Sequence, residues 1–252
     1  MTPIDRIIGF LDDLLVPGDF EDYGPNGLQV PGRREITTVV TGVSAGLELF
    51  ERAAELDAGL VLVHHGLFWG TRGPIDAPEK RRLKLLFDAD MGLAAYHLPL
   101  DAHMQVGNNA ILARELGTVD PEPFAPLNGT HIGVRARFPD AGIDAAELVA
   151  RVARVTDRAP LAFTDGPDRV ETIGIVSGGA AGHLDDAIAA GLDAFLTGEP
   201  TERSMLRARE SNVHFLAAGH YATETFGVRA LGDLLAERFG VRHTFVDVPN
   251  PI

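Results

Sequence analysis

The sequence contains no cysteine. That excludes disulfides, thiolate metal sites and cysteine nucleophiles together. No apolar run approaches the roughly 20 residues that a membrane span needs. Basic charge is also scarce: 22 basic residues face 36 acidic ones, for a formal net charge of −14. Phosphate contacts need a basic face, so this balance argues against a general nucleic-acid binder. Lys80 and Lys84 are the only lysines, and every other basic residue is arginine. The acidic excess suits a chain kept soluble in high salt by self-repelling surface charge, so a halophilic source is expected. From Met1 to Val16 apolar residues alternate with Asp5, Arg6, Asp12 and Asp13, the pattern of an amphipathic helix. The basic flank and unbroken apolar segment of a signal peptide are missing there. The expected location is the cytoplasm.

What is present is an ordinary globular composition. The 252 residues are 45% apolar and 23% charged, enough for one large α/β domain or two smaller ones. The stretch that organises the chain is Leu60-Val61-Leu62-Val63-His64-His65-Gly66-Leu67-Phe68-Trp69. An apolar run of strand character ends there in two adjacent histidines. In open α/β folds ligands sit just beyond the carboxyl ends of strands. Neighbouring side chains on a strand point to opposite faces. His64 and His65 therefore cannot easily serve one ion, but at a strand end each can serve one of two nearby ions. The plain alternative is one buried and one surface histidine.

Further along, Tyr23 to Gln29 is rich in turn residues and reads as a loop over the sheet. Ile36 to Val43 reads as a strand, and Ser44 can cap a helix from Ala45 to Leu56. Glu79 to Asp90 reads as a helix and Gly92 to Tyr96 as a third strand, which ends in His97-Leu98-Pro99-Leu100-Asp101-Ala102-His103. His97, Asp101 and His103 thus fall on a loop beyond a strand end, as His64 and His65 do. Imidazole nitrogen and carboxylate oxygen form a donor set suited to zinc, iron, manganese or nickel. Gly107-Asn108-Asn109 then opens a helix to Glu115.

Pro121, Pro123 and Pro126 mark a linker up to Asn128. A second α/β unit begins with the strand His131 to Phe138 and a helix from Asp144 to Val155, with Thr172 to Val176 as another strand; the chain closes with the strands His214 to Ala217 and His243 to Val248. The turn Ser177-Gly178-Gly179-Ala180-Ala181-Gly182 can present backbone N–H groups to an anion, or simply let a helix pack closely on the sheet. A weak internal echo relates Val43-Ser44 and the strand into His64-His65 to Val176-Ser177 and the strand into Gly198-Glu199. It puts Glu199 on the lip of a cleft, as a candidate cofactor-binding group. His220 and Glu224 stand at i, i+4, about one helical turn apart, so both can reach one metal centre. A structural hydrogen bond is the alternative for that pair alone. Three such clusters together point to a metal site.

The segments around His64-His65, His97 to His103, Gly107-Asn108-Asn109, Thr197-Gly198-Glu199 and Gly219-His220-Tyr221-Ala222-Thr223-Glu224, with Asn26-Gly27-Leu28-Gln29-Val30, resemble the YbgI-type, or Nif-three-like, proteins. Members often carry the label of type-two GTP-cyclohydrolase-I-like protein. The resemblance covers nearly the whole chain, in order. It implies an α/β fold of two interlinked lobes with a metal cleft between them, two divalent metal ions per chain and a toroidal homohexamer. The expected division is 1–125 with 220–252 for the first lobe, carrying most metal ligands, and 126–219 for the second, inserted lobe. By resemblance the ligands are His64, His65, Asp101, His220 and Glu224, with Glu224 bridging. His97 and His103 are supplementary groups and candidates for proton transfer. Tyr221 stands where close relatives carry another histidine.

Two functions fit. One is a metal-dependent hydrolase acting on a nucleotide or related small molecule, GTP-cyclohydrolase-like by resemblance only. The other is a non-catalytic, metal-handling or regulatory ring. The expected partners are further copies of the chain and a small-molecule substrate, with no nucleic acid and no membrane.

Overall fold

A computed structural model describes residues 1–70 and 73–252. The fold is α/β, with two compact units. The first comprises Met1–Leu100 and Gly227–Val248, the second Asp101–Phe226 and Pro249–Ile252.

In the first unit a five-stranded sheet runs in the order Arg242–Phe245, Thr38–Ser44, Leu60–His65, Gly92–Ala95, Gly27–Val30. The first four strands are parallel and the last is antiparallel. Leu60, Val61, Leu62 and Val63 are all fully buried, as a strand covered on both faces requires. The helix Ile4–Leu15 buries Ile4, Ile7, Leu11 and Leu15, one stripe at helical spacing. Leu49, Phe50 and Ala53 do the same for the helix Leu47–Glu55. Asp76 caps the helix Ala77–Asp88 by accepting from the Glu79 amide at 2.7 Å.

Three local expectations change here. Gly27–Val30, read as part of a loop over the sheet, is its antiparallel edge strand. The helix after Ser44 starts behind Gly46 without a side-chain cap, and the Ser44 hydroxyl instead bonds to His65. The loop after the third strand contains a short helix, Leu98–Ala102.

The second unit has a six-stranded sheet in the order Val119–Leu127, Thr130–Arg137, Thr172–Val176, Ala194–Thr197, His214–Ala217, Leu161–Phe163. Its central three strands from Thr172–Val176 to His214–Ala217 are parallel, and the others pair antiparallel. The segment expected as a linker is the strand Val119–Leu127 at the sheet edge. An edge strand tolerates Pro121, Pro123 and Pro126 because one side of it needs no ladder donors. The compact units divide at Leu100 and Phe226 rather than at 125 and 219. The reason is packing: Ala110, Leu112, Ala113 and Leu116 join Val134, Ala136, Leu148 and Val152 in the second unit's core. Among the described residues no helix is long and apolar enough to cross a membrane.

The edge strand Arg242–Phe245 is fixed by a buried imidazole. His243 donates from Nδ1 to Asp233 Oδ1 at 2.8 Å and accepts at Nε2 from the Thr41 hydroxyl at 2.8 Å. A Cβ on Gly232 would fall 2.1 Å from that Nε2, so no larger residue fits without expelling the ring. Gly232→Ala is therefore expected to destabilise the fold by about 1–3 kcal/mol, the usual cost of overpacking. A chemical denaturation midpoint equal to that of the parent would disprove this packing argument.

Candidate metal centre

In the first unit the strand Leu60–His65 delivers two histidines at its carboxyl end, His64 fully buried and His65 partly so. His97 follows the neighbouring strand Gly92–Ala95. The structure brings these three together: one donor atom from each of His64, His65 and His97 lies within 4.8 Å of the others. Ring centroids are 4.7 Å apart for His64 and His65, 4.9 Å for His64 and His97, and 5.5 Å for His65 and His97.

The second nitrogen of each ring is held. His64 Nδ1 is 2.9 Å from the Tyr96 carbonyl oxygen. A carbonyl only accepts, so Nδ1 carries the proton and Nε2 the lone pair, the tautomer a metal requires. Tyr96 is itself anchored, donating its hydroxyl to Asp12 Oδ1 at 2.6 Å. Burial and the Asp12 carboxylate both keep that hydroxyl from ionising. His65 Nδ1 shares a 3.1 Å bond with Ser44 Oγ. His97 Nδ1 meets Asp22 Oδ1 at 2.7 Å.

Asp22 is a group that the sequence reading missed. Its side chain is only 3% exposed. Oδ2 accepts from Asn26 Nδ2 at 2.9 Å and from the Leu98 amide at 3.0 Å. Burial pushes its carboxyl up, but the hydrogen bond and charge of His97, with bonds from Asn26 and Tyr23, outweigh burial and hold it below the usual range. An ionised Asp22 fixes Nδ1–H on His97 and makes Nε2 the basic nitrogen. Asn26 also accepts from the His97 amide at 2.8 Å. The only signal in the sequence was the turn-rich character of that segment.

In the second unit Asp101 is buried on the short helix Leu98–Ala102. Its Oδ1 accepts from Asn108 Nδ2 at 2.8 Å and Ser177 Oγ at 2.9 Å. Asn109 bridges the same region, donating to the Asp101 carbonyl at 3.2 Å and accepting from the Ser177 amide at 2.7 Å. The two asparagines thus orient a carboxylate besides opening a helix.

His220 begins a helical turn, His220–Thr223, and Glu224 sits at its end before the helix Thr225–Phe239. His220 Nε2 is 3.2 Å from Glu224 Oε2, and its Nδ1 bonds to Glu199. Glu199, expected on a cleft lip as a cofactor-binding group, is placed as the carboxylate that orients this imidazole. Burial pushes the His220 pKa down, but the hydrogen bonds and charges of Glu224 and Glu199 outweigh it and raise the pKa to about 9. Gly178 is essential to the arrangement. Its φ is +66°, and a Cβ there would lie 2.2 Å from Glu224 Oε1. The amides of the glycine-rich turn serve the protein: Ser177 donates to Asn109, Gly178 to Thr223 Oγ1 at 3.1 Å and Ala180 to Thr197 Oγ1 at 3.3 Å. That supports the packing reading of this turn over anion binding.

His103 belongs to none of the donor groups found among the described residues. Its Nδ1 accepts from the amides of Gln105 and Val106, each at 3.2 Å, and burial lowers its pKa. Each unit thus presents oriented nitrogen or carboxylate donors without sulfur, a set suited to a borderline divalent cation. His131 and His243 lie in the strands Thr130–Arg137 and Arg242–Phe245, outside the donor groups.

The chain is similar to known proteins over nearly its whole length. Residues 2–251 match the family described as Duf34/NIF3 (NGG1p interacting factor 3). A GTP cyclohydrolase 1 type 2 homolog of Pseudomonas aeruginosa is 45% identical over 249 residues, with 98% of each chain covered. The solved structure of protein ybgI, described as of unknown function, superposes with a TM-score of 0.94 at 37% identity over 100% of both chains. A crystal structure from Thermus thermophilus gives a TM-score of 0.91 at 41% identity, again over 100% of both.

One consequence concerns protons. A metal ion on His220 Nε2 must displace a proton that the metal-free protein holds up to about pH 9. Loading a divalent cation at pH 7 is expected to release that proton, and affinity is expected to fall as pH drops. Because the folded pKa lies above the unfolded value of about 6.5, the protonated pair stabilises the metal-free protein fully below about pH 6.5. That stabilisation is lost as pH rises through about 9. Calorimetry in buffers of different ionisation enthalpy measures the released proton. Glu199→Gln should reduce the release, and an unchanged value would refute the assignment.

Proposed function

The chain belongs to the Duf34/NIF3 family, and we propose that it is a dinuclear metal-dependent hydrolase acting on a nucleotide or related small molecule. In this reading, carried over from the family resemblance, His64, His65, Asp101, His220 and Glu224 would be the ligands of two divalent ions. The observation that carries the proposal is the cluster of His64, His65 and His97, three imidazoles gathered by their donor atoms. Two of them have a carbonyl or carboxylate fixing Nδ1–H. Such orientation of a ring by its second nitrogen is a hallmark of metal-binding and proton-transferring histidines.

Bound ions supply two things in such a centre: they bring the pKa of a bound water to around 7 and polarise the scissile group. The chain's own residues do the rest. His97, held by Asp22, takes the proton from the attacking water at Nε2 and returns it to the leaving group. Its orientation by a buried carboxylate favours it over His103, whose Nδ1 is engaged in a turn. Asp101 is oriented by its bonds from Asn108 and Ser177. The name of the Pseudomonas aeruginosa relative suits ring opening of a guanine-type base, which is hydrolysis of an amide-like bond.

The test joins elemental analysis to a substrate screen. Two ions per chain are expected. Glu224→Gln or Asp101→Asn should lose most metal, whereas His131→Ala should keep it. His97→Ala should retain metal and lower hydrolysis of a responsive nucleotide, cyclic amide or phosphoester by roughly 100-fold or more. Should the metal-loaded parent turn over nothing faster than free metal does, the hydrolase reading fails and the metal-handling one replaces it.

The family resemblance further supports a homohexameric ring. Light scattering in high salt should report six chains. High salt matters because a chain of net charge −14 repels its own copies when screening is weak. A monomer under those conditions would refute the ring.

A further inference from the structure

The histidine cluster of the first unit is flanked by two aromatic side chains that the metal reading leaves unexplained. Trp69 is 39% exposed and Tyr23 is 61% exposed. The Trp69 and His97 rings are nearly perpendicular, with centroids 5.1 Å apart at 87°, and Trp69 lies 5.7 Å from His65. Tyr23 lies 6.0 Å from His97. Two exposed aromatic rings in contact with the same imidazole give the cluster an apolar rim.

The loops carrying the two rings are interlocked. The Gly70 amide donates to the Tyr23 carbonyl at 2.7 Å, and the Leu67 amide to Gln29 Oε1 at 2.9 Å. Gln29 Nε2 in turn donates to the Pro25 carbonyl at 2.8 Å. Gly24 passes so close to this loop that a Cβ would lie 2.3 Å from the Phe68 carbonyl oxygen and 3.6 Å from the Trp69 ring. The indole N–H donates to the Gly66 carbonyl at 2.9 Å. The polar atom of the Trp69 side chain is therefore satisfied within its own loop, and the exposed part of the ring is apolar.

We propose that Trp69 and Tyr23 form a stacking subsite for a planar heteroaromatic ring whose anionic substituent is drawn to the adjacent histidines. Aromatic faces stack on any flat heterocycle, with little dependence on its hydrogen-bonding edge. The same faces could attract an organic cation, but a divalent ion held by the neighbouring imidazoles would repel one. The occupant is thus a flat, anionic compound of the nucleotide kind. This deepens the hydrolase reading by assigning the substrate's ring to named residues, and it rests on that reading only for calling the ligand a substrate.

Trp69 is the single tryptophan of the chain, so intrinsic fluorescence reports on this subsite without turnover. The probes are adenosine 5′-monophosphate and ribose 5-phosphate, which carry the same anion with and without a flat ring. With metal-loaded protein, the nucleotide should quench the Trp69 emission and bind about tenfold or more tightly than ribose 5-phosphate, the scale of one base stacked on an aromatic side chain. Equilibrium dialysis with Trp69→Leu should show that advantage cut to about threefold or less, while Trp69→Phe keeps most of it. Tyr23→Leu should likewise weaken the nucleotide alone. Metal content equal to that of the parent shows that each variant keeps its site. Equal affinity of the parent for the two probes would overturn the proposal without recourse to any variant. So would an undiminished ring preference in Trp69→Leu. A parent that binds the ring but hydrolyses nothing would remove the hydrolase reading and leave the subsite standing.

Discussion

The histidines share one constraint: the Nδ1 of each ring is held by a hydrogen bond, the arrangement that orients an imidazole for metal binding. His64 shows how far back that commitment reaches. Its Nδ1–H is held by the Tyr96 carbonyl, and the Tyr96 hydroxyl is held by Asp12 on the helix Ile4–Leu15. That helix is seated by Ile4, Ile7, Leu11 and Leu15. Apolar burial at the start of the chain thus fixes the orientation of a ring at the end of the strand Leu60–His65. Asp22 and Glu199 do the same for His97 and His220 by direct contact. Carboxylates hold His97 and His220, and a neutral carbonyl holds the fully buried His64.

The two sheets explain why donors collect at strand ends. Parallel strands covered on both faces have no room for polar side chains along their length. Polarity therefore accumulates where the strands stop, as it does after Val63, Ala95, Val176, Thr197 and Ala217. In both units a Val-Ser pair closes a strand and sends its serine to a donor, Ser44 to His65 and Ser177 to Asp101. The echo between the two halves of the sequence is, in physical terms, the same solution used in each unit.

Much of this was legible in the sequence. The strands Thr172–Val176 and His214–Ala217 were bounded correctly because apolar runs end there in turn residues. His64 and His65 stood out because two histidines interrupt a run that should stay apolar. What escaped was long-range. Asp22 lies 75 positions from His97 in the chain, and in sequence it is one more turn aspartate. The strand Val119–Leu127 was hidden by three prolines that only an edge position permits. Ser44 had two local uses, and the hydrogen bond to His65 prevailed over the helix cap. Periodicity reads burial well, but it cannot say which polar side chain a buried group will meet.

The pair His220 and Glu224 shows why such a centre can fold before it is filled. Glu224 is 2% exposed, and a buried carboxylate without a countercharge is strongly unfavourable. In the metal-free protein the countercharge is the proton on His220, retained because Glu224 and Glu199 raise its pKa to about 9. A divalent cation held by His220 and Glu224 would replace that proton, so the carboxylate would be compensated in both states and the cation would compete with a proton. It also means that Glu199 tunes the exchange: by steadying the proton it makes the empty site more stable and the filled one harder to reach. A centre built this way takes up metal in step with pH, and the carboxylate beside His220 sets where that step falls.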